Sequence, residues 1–453
     1  MRRFSVTLAL ALAAATAAVY LPACGEVVAP PGANVLLITV ETLRADHVGA
    51  QRDGVDLTPR LDELKQRSTF FENAFSAAAF TLPSLHTIAT GEPPPVHRVR
   101  FWTSFGNRFR GPTVASLLKQ RGYRTGFFGG HGLLAPYPIL HTGFDVWKDR
   151  REARASWVRE QAMAFLDETG DQPFFLWMHI YEPHTPYAPE EQFADGLADL
   201  ELYRDAGPAP FPVSEWVKTV PADAADADRL ADRLYAAEVR AADAALGDLL
   251  DELTARGLAE NTVVAVVGDH GESLSWDTGP RWDHGWSVNR QLTHVPLLLS
   301  GPGIPKSVVR GDLAAHLDLA PTLVALTGAP PPNGWLGRNL MGTAPAPSHV
   351  VVESTVTLRQ DEPFFSVTDG AISLRLNPAQ GSAALVDDRD VAATPAPFQP
   401  DEPPEAALAP LAVWRTLSTK WRARALELND PGADEGRLSE EQEALLKMAG
   451  YLR

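Results

Sequence analysis

Cysteine is almost absent from this sequence, since Cys24 is the single one among 453 residues. A chain with one cysteine cannot form an internal disulfide, so packing must stabilise its fold. Positive charge is also scarce: 40 lysines and arginines face 57 aspartates and glutamates, which gives a formal net charge of −17. No basic stripe stands out, and we therefore expect no nucleic-acid partner.

One long, alanine-rich apolar run lies near the N-terminus, where residues 4–21 follow Arg2 and Arg3. A basic start, a short apolar core and small residues after it are typical of a secretory signal peptide. A single membrane-anchoring helix is the alternative. The sequence Leu-Pro-Ala-Cys at 21–24 resembles the end of a bacterial lipoprotein signal. We expect a signal peptide at 1–23, a lipid anchor on Cys24 that contacts the membrane, and a lipid-anchored or periplasmic protein of the bacterial cell envelope.

Buried strands and helices alternate through most of the remaining chain. With 45% hydrophobic residues, the chain can bury a large core. Nearly continuous apolar runs at 34–40, 173–179 and 262–268 predict strands buried on both faces of a parallel sheet. We expect a tether at 24–33, then one large α/β domain at 34–345 that includes a helix at 312–327.

The composition shifts around residues 343–347, where we place the boundary of a C-terminal α+β subdomain at 346–453. Runs at 350–353, 364–367 and 371–376 predict a small antiparallel sheet. A proline-rich loop is expected at 395–404, followed by helices at 406–428 and 439–449.

The segment 80–91 contains the candidate nucleophile, Thr81. Pro83 suits the first turn of a helix and Gly91 its end, so Thr81 is predicted at the helix N-terminus. Free backbone N–H groups and the positive end of the helix dipole favour an anion there, such as a phosphate or sulfate ester. An ordinary helix start is the alternative reading of this segment taken alone.

Polar side chains follow two of the predicted buried strands. Glu41 comes directly after the first strand, and Asp269 and His270 follow the strand at 262–268. In open α/β sheets, ligands bind beyond the carboxyl ends of the strands. Two carboxylates, an imidazole and the Thr81 hydroxyl suit one Zn²⁺ or Mn²⁺ ion in preference to Ca²⁺ or Mg²⁺. Glu41 could instead belong to the first turn of a helix.

Several segments, in order along the chain, resemble the sulfatase-like branch of the alkaline phosphatase superfamily. They are residues 34–47, 81–91, 122–131, 179–186, 269–272, 295–297, 318–322 and 438–452. The resemblance implies a three-layer α/β/α fold with a mostly parallel sheet of the alkaline phosphatase type.

The chain departs from true sulfatases at the positions that carry their chemistry. Sulfatases have Cys or Ser where this chain has Thr81, oxidised to formylglycine, and Arg where it has Leu85. They also have a pair of aspartates where this chain has residues 41–42. We therefore expect no formylglycine. The predicted metal-binding set resembles instead the single-metal site of phosphoethanolamine and phosphoglycerol transferases, in which threonine is the nucleophile.

The resemblance also places histidines near the substrate. These are His179, His184 and His284, with His131 as a further candidate; for each, a structural histidine is the alternative. Together these features predict an exported metal-dependent hydrolase or transferase that acts through Thr81 on phosphate-type esters, with a small anionic ester, a glycan or a lipid headgroup as substrate. The alternatives are a sulfatase proper and a non-catalytic sulfatase-like binding protein.

Overall fold

The computed structural model describes residues 32–102, 104, 109–197, 225–274, 283–354, 364–378, 381–390, 395–399 and 402–429. The predicted signal peptide with Cys24 and the predicted helix at 439–449 lie outside these residues. Within the described ranges, no helix is both long enough and apolar enough to cross a membrane.

A central eight-stranded sheet and a two-stranded ribbon contain the strands of the main part of the molecule. These strands are β1 (Asn34–Val40), β2 (Gln51–Arg52), β3 (Val55–Asp56), β4 (Ser68–Phe75), β5 (Arg124–Gly129), β6 (Val146–Asp149), β7 (Phe174–Ile180), β8 (Thr262–Gly268), β9 (Leu297–Ser300) and β10 (Val308–Ala315). The order in the large sheet is β10-β4-β9-β8-β1-β7-β5-β6, and β2 pairs with β3. Neighbours in the large sheet are parallel except where β9 pairs with β4 and β8, so the mostly parallel sheet is confirmed.

Helices cover both faces of the central sheet. They are α1 (Pro59–Lys65), α2 (Thr81–Thr90), α3 (Pro94–His97), α4 (Val114–Lys119), α5 (Pro138–His141), α6 (Ala155–Thr169), α7 (Glu191–Ala194), α8 (Ala225–Ala255), α9 (Arg290–Thr293) and α10 (Leu319–Leu326). Side chains alternate across a strand. In β1, Val35 and Leu37 pack with α2, α4 and α10, whereas Leu36 and Ile38 pack with α1, α6 and α8. The result is the three-layer α/β/α arrangement.

The helix predicted at 312–327 is wrong in its first half. Residues Val308–Ala315 form β10, an edge strand that pairs in parallel with β4, and α10 begins only at Leu319. Arg310 and Asp312 are polar and therefore not typical of a buried strand, so the sequence did not predict a strand here. At the sheet edge, the Arg310 guanidinium pairs with Asp312 at 2.7 Å and lies over the Phe71 ring at 5.2 Å.

The C-terminal part has the antiparallel sheet that the sequence predicts. It contains β11 (Val350–Glu353), β12 (Phe365–Thr368), β13 (Ile372–Asn377), β14 (Ser382–Asp387) and β15 (Ala396–Phe398), followed by α11 (Glu405–Leu428). The predicted loop at 395–404 is wrong where β15 forms. Helix α11 packs on this sheet through Leu411 and reaches the main part, where Arg424 Nε lies 2.8 Å from Glu92 Oε1. The exact boundary at residue 345 stays a prediction.

Candidate active site

The carboxyl ends of neighbouring strands bring the predicted metal-binding residues together. In the sheet, β1 lies between β8 and β7, and Val40 pairs with Gly268 on one side and with Ile180 on the other. Glu41 and Asp269 directly follow β1 and β8, so the register places them side by side. Both side chains are 0% exposed.

Thr81 is the first residue of α2, as the sequence predicts. Phe80 before it is extended, and Gly91 after the helix has a φ of 67°, so the helix ends in the left-handed conformation that glycine favours. The Thr81 hydroxyl donates a hydrogen bond to Glu41 Oε1 and lies 3.2 Å from His270 Nε2. The candidate nucleophile therefore contacts residues that follow two different strands.

His270 presents a lone pair to this hydroxyl. Its Nδ1 lies 2.8 Å from the Gly271 carbonyl, which can only accept, so Nδ1 carries the proton and Nε2 does not when the ring is neutral. Asp269 Oδ1 accepts the backbone N–H groups of Thr42 and His270 at 2.8 and 2.7 Å. Asp269 Oδ2 has no hydrogen-bond partner among the described residues and lies 3.6 Å from His270 Nε2.

These acceptors fit a divalent cation. A single hydroxyl proton on Thr81 cannot satisfy Glu41 and His270 together, and Asp269 Oδ2 adds a third acceptor. Donor atoms of Glu41, Asp269 and His179 also lie within 4.8 Å of one another. The carboxylate oxygens of Glu41 and Asp269 and the unprotonated Nε2 of His270 are ligands that Zn²⁺ and Mn²⁺ accept.

The pKa values of the buried carboxylates also favour a bound cation. Burial raises the pKa of Glu41 to about 8, and burial together with the Glu41 charge raises the pKa of Asp269 well above its usual range. Burial lowers the pKa of His270 well below its usual value, so this ring is neutral. Two buried carboxylates resist ionising together unless a positive charge lies between them, and a bound cation supplies that charge.

Three of the predicted substrate-binding histidines form a group beside His270. The ring centres of His284 and His270 are 4.5 Å apart, and those of His284 and His184 are 5.1 Å apart. His131 Nε2 lies 4.0 Å from Glu41 Oε1, and neither of its ring nitrogens has a hydrogen-bond partner in the described part of the chain. Donor groups thus lie near Thr81, although their contact with substrate stays a prediction.

Glu272 is a residue of this group that the sequence analysis did not assign. Its Oε1 lies 3.3 Å from His284 Nδ1. Burial alone lowers the pKa of His284, but the charge of Glu272 and its hydrogen bond raise this pKa to about 9. The position of Glu272 in the sequence could have indicated that it belongs to the site, because it ends the polar segment 269–272 that follows β8.

His179 has a different position from the other three histidines. It lies within β7, is 0% exposed, and its Nε2 is 2.6 Å from Glu41 Oε2. This nitrogen lies against the Glu41 oxygen that does not contact Thr81, and the predicted contact of His179 with substrate stays a prediction.

The sulfatase family model matches residues 33–329 of the chain. The chain belongs to the sulfatase family. It is 26% identical to human iduronate 2-sulfatase over 336 residues, which cover 60% of each protein. It is 26% identical to an ulvan-active sulfatase from Formosa agariphila over 352 residues, or 69% of this chain and 65% of that protein. The chain therefore spans about three fifths of the length of these curated relatives.

Solved structures share the fold. A phosphonate monoester hydrolase from Silicibacter pomeroyi has a TM-score of 0.64 at 19% identity, covering 90% of this chain and 98% of that one. The lipoteichoic acid synthase LtaP from Listeria monocytogenes has a TM-score of 0.62 at 16% identity, covering 88% of this chain and 93% of that one. A Vibrio parahaemolyticus protein of the alkaline phosphatase superfamily has a TM-score of 0.62 at 20% identity, covering 90% and 91%. The predicted fold and the sulfatase-like branch are confirmed.

Proposed function

We propose that this member of the sulfatase family is an exported, metal-dependent enzyme that hydrolyses or transfers phosphate-type esters through Thr81. The observation that carries the proposal is the position of the Thr81 hydroxyl at the start of α2, hydrogen-bonded to Glu41 and 3.2 Å from His270 Nε2. The part of the proposal that concerns export rests on the residues at 1–24 alone.

Glu41, Asp269, His270 and the Thr81 oxygen would hold one Zn²⁺ or Mn²⁺ ion, with His179 Nε2 close by. When bound, such an ion stabilises negative charge on the attacking oxygen and on the ester oxygens. The Thr81 hydroxyl gives its proton to the Glu41 carboxylate, which it already contacts, and its oxygen attacks phosphorus in line. The bond from phosphorus to the leaving group breaks, which leaves a phosphoryl group on Thr81.

His284 is the best-placed proton donor for the leaving group. Its Nδ1 contacts Glu272, so its Nε2 is the nitrogen left to donate, and the ring lies beside His270. Water or an acceptor alcohol then gives its proton to the neutral His284 and attacks phosphorus, and the bond from phosphorus to the Thr81 oxygen breaks as that oxygen takes back the proton from Glu41. The free N–H groups at the start of α2 stabilise the ester oxygens in both steps.

Sulfate esters are the second candidate substrate class, because the curated relatives are sulfatases. Two features of this chain favour phosphate-type esters instead. Threonine does not yield the formylglycine of sulfatases, and Leu85 packs in the hydrophobic core where sulfatases have an arginine. A threonine alcohol attacking phosphorus needs no such modification.

The test compares Thr81→Val with Thr81→Ser. Valine keeps the shape of threonine without the hydroxyl, whereas serine keeps the hydroxyl. Metal content is measured first, followed by turnover of an aryl phosphate, an aryl phosphodiester and an aryl sulfate. We expect turnover of a phosphate-type ester that falls by about 10³-fold or more in Thr81→Val, as loss of a nucleophile does, and that is largely kept in Thr81→Ser.

Each of the other outcomes rejects a definite part of the proposal. Turnover of the sulfate ester alone would assign the chain to the sulfatases proper. Binding of these esters without turnover would identify a non-catalytic relative. A wild type that holds no metal, with full turnover in Thr81→Val, would show that the chemistry takes place elsewhere.

A further inference from the structure

A chain of hydrogen bonds runs through the buried strands to the Glu41 carboxylate. Trp177 Nε1 lies 3.0 Å from Thr39 Oγ1, and Thr39 Oγ1 lies 2.9 Å from His179 Nδ1. His179 Nε2 in turn lies 2.6 Å from Glu41 Oε2. The chain crosses between β1 and β7, where Thr39 pairs with His179 in the sheet register. Thr39 and His179 are 0% exposed and Trp177 is 1% exposed.

The direction of these hydrogen bonds follows from their first member. An indole N–H can only donate, so Thr39 must accept from Trp177. The single proton of the Thr39 hydroxyl can go to His179 Nδ1 at 2.9 Å or to the Met178 carbonyl at 3.3 Å. The second distance is longer than O–H hydrogen bonds usually are, which favours His179 Nδ1. A neutral His179 then carries its own proton on Nε2 and donates it to Glu41.

The distance between His179 Nε2 and Glu41 Oε2 also indicates that His179 donates this hydrogen bond. Two ligands of a tetrahedral Zn²⁺ ion lie roughly 3.3 Å apart when each is about 2.0 Å from the metal. His179 Nε2 and Glu41 Oε2 are 2.6 Å apart, which suits a hydrogen bond to a charged group. Once Glu41 is ionised, two lone pairs at this distance would repel each other, so a proton must lie between them.

We propose that Trp177, Thr39 and His179 form a positioning relay that occupies Glu41 Oε2 and so leaves Oε1 free to face Thr81 and the cation. Thr39 is thereby a positioning residue, and His179 acts on Glu41 through its Nε2 proton without binding the cation itself. The inference rests on the proposed function. Hydrogen-bonded partners of this kind orient metal ligands, and their removal typically weakens metal binding by about 10–100-fold.

The rival arrangement places the His179 proton on Nδ1. The backbone carbonyl of Thr39 also faces this ring and could accept that proton. The Nε2 lone pair would then point toward Glu41, and His179 would be a metal ligand. The two arrangements predict different tautomers of the same ring.

The test reads the tautomer and the metal affinity separately. Nitrogen NMR of ¹⁵N-labelled histidine, recorded above pH 8 so that Glu41 is ionised with and without metal, reports the protonated nitrogen in the metal-free and the Zn²⁺-loaded protein. The His179 signals are identified by their loss in His179→Gln. Chelator competition gives the Zn²⁺ affinity of the wild type, Thr39→Val and Thr39→Ser. We expect an Nε2–H ring in both states, a roughly 10–100-fold weaker affinity in Thr39→Val, and recovery of affinity in Thr39→Ser, which keeps the hydroxyl.

An Nδ1–H ring, or equal Zn²⁺ affinity in the wild type and Thr39→Val, would overturn the relay. Thermal melting of both Thr39 variants shows whether the fold is intact. Thr39→Val keeps the size of the side chain without the hydroxyl, and Thr39→Ser is the control that keeps the hydroxyl. A wild type that binds no Zn²⁺ or Mn²⁺ would refute the proposed function. The tautomer of the metal-free protein would still decide the direction of the hydrogen bonds in that case.

Discussion

At the scale of single residues, the site depends on three acceptors around one hydroxyl. Glu41 Oε1, His270 Nε2 and Asp269 Oδ2 approach the same region, and Thr81 has one proton to give. For binding of a cation, the negative charge of Glu41 therefore matters more than the size of its side chain. An uncharged side chain of the same size keeps the packing and removes the negative charge that offsets a cation.

Glu41→Gln should weaken binding of Zn²⁺ or Mn²⁺ by about 100-fold or more, since it removes a charged ligand as well as the acceptor of the Thr81 proton. Chelator competition measures the affinity. The matched control is Glu353→Gln, which removes another buried carboxylate that pairs with Arg100 and is not among the predicted metal ligands. Equal loss of affinity in the two variants would mean that Glu41 is not a ligand.

At the scale of elements, the N-terminus of α2 places Thr81 and the glycine after the helix fixes where it ends. Gly91 has a φ of 67°, and a Cβ built on it would lie 3.1 Å from both the Ala320 side chain and the Trp335 ring. An alanine at position 91 would therefore have a strained backbone conformation, and its Cβ would also be crowded by Ala320 and Trp335. Gly257, after α8, has a φ of 70° and nothing within 4 Å of such a Cβ.

Gly91→Ala should therefore lower the free energy of unfolding by more than Gly257→Ala does. Conformational strain alone costs roughly 1–2 kcal/mol for either alanine, and the crowding at Gly91 adds to it. Chemical denaturation of both variants measures the difference. Equal losses would show that Ala320 and Trp335 move aside without cost.

Much of this element structure could be predicted from the sequence. The strands at 34–40 and 262–268 have the predicted bounds, because both are buried on two faces and therefore continuously apolar. The end of α2 could be predicted from Gly91 alone. Strand β10 could not be predicted by the same rule, since an edge strand tolerates Arg310 and Asp312.

At the site, the sequence predicts only those contacts that follow from where a residue lies relative to a buried strand. Residues that follow buried parallel strands meet at one edge of the sheet, which is why Glu41, Asp269 and His270 were found. The contact of Thr39 with His179 depends on the register between β1 and β7, and no local pattern shows that register. Glu272 was missed for a similar reason, since its partner His284 lies twelve residues farther along.

At the scale of the whole molecule, two buried carboxylates pair with the half-exposed Arg154 and join segments that lie far apart in the sequence. Arg154 Nη1 lies 3.1 Å from Glu238 on α8 and 3.7 Å from Glu182 in the segment after β7. Glu238 is 2% exposed and also accepts the backbone N–H of Ala188 at 2.8 Å. The segment that carries His184 is thereby attached to α8.

The stability of the wild type should fall, relative to Glu238→Gln, as pH rises from about 4.5 to about 8. Burial raises the pKa of Glu238 to about 7 in the folded protein, against 4.5 as its ordinary value. The folded state thus keeps the proton longer than the unfolded state, and its advantage is lost through this interval, by up to about 3 kcal/mol. Denaturation of both proteins across this pH range measures the difference, and parallel curves would contradict the assignment.

The stereochemical course of the reaction at phosphorus tests the central claim most directly. An aryl phosphate made chiral with three oxygen isotopes is turned over by the wild type with an alcohol acceptor, and the configuration of the product is read by ³¹P NMR. Attack by Thr81, followed by attack of the acceptor on the phospho-threonine, comprises two in-line displacements and predicts retention. Inversion would mean that the acceptor attacks the ester directly and that Thr81 is not the nucleophile.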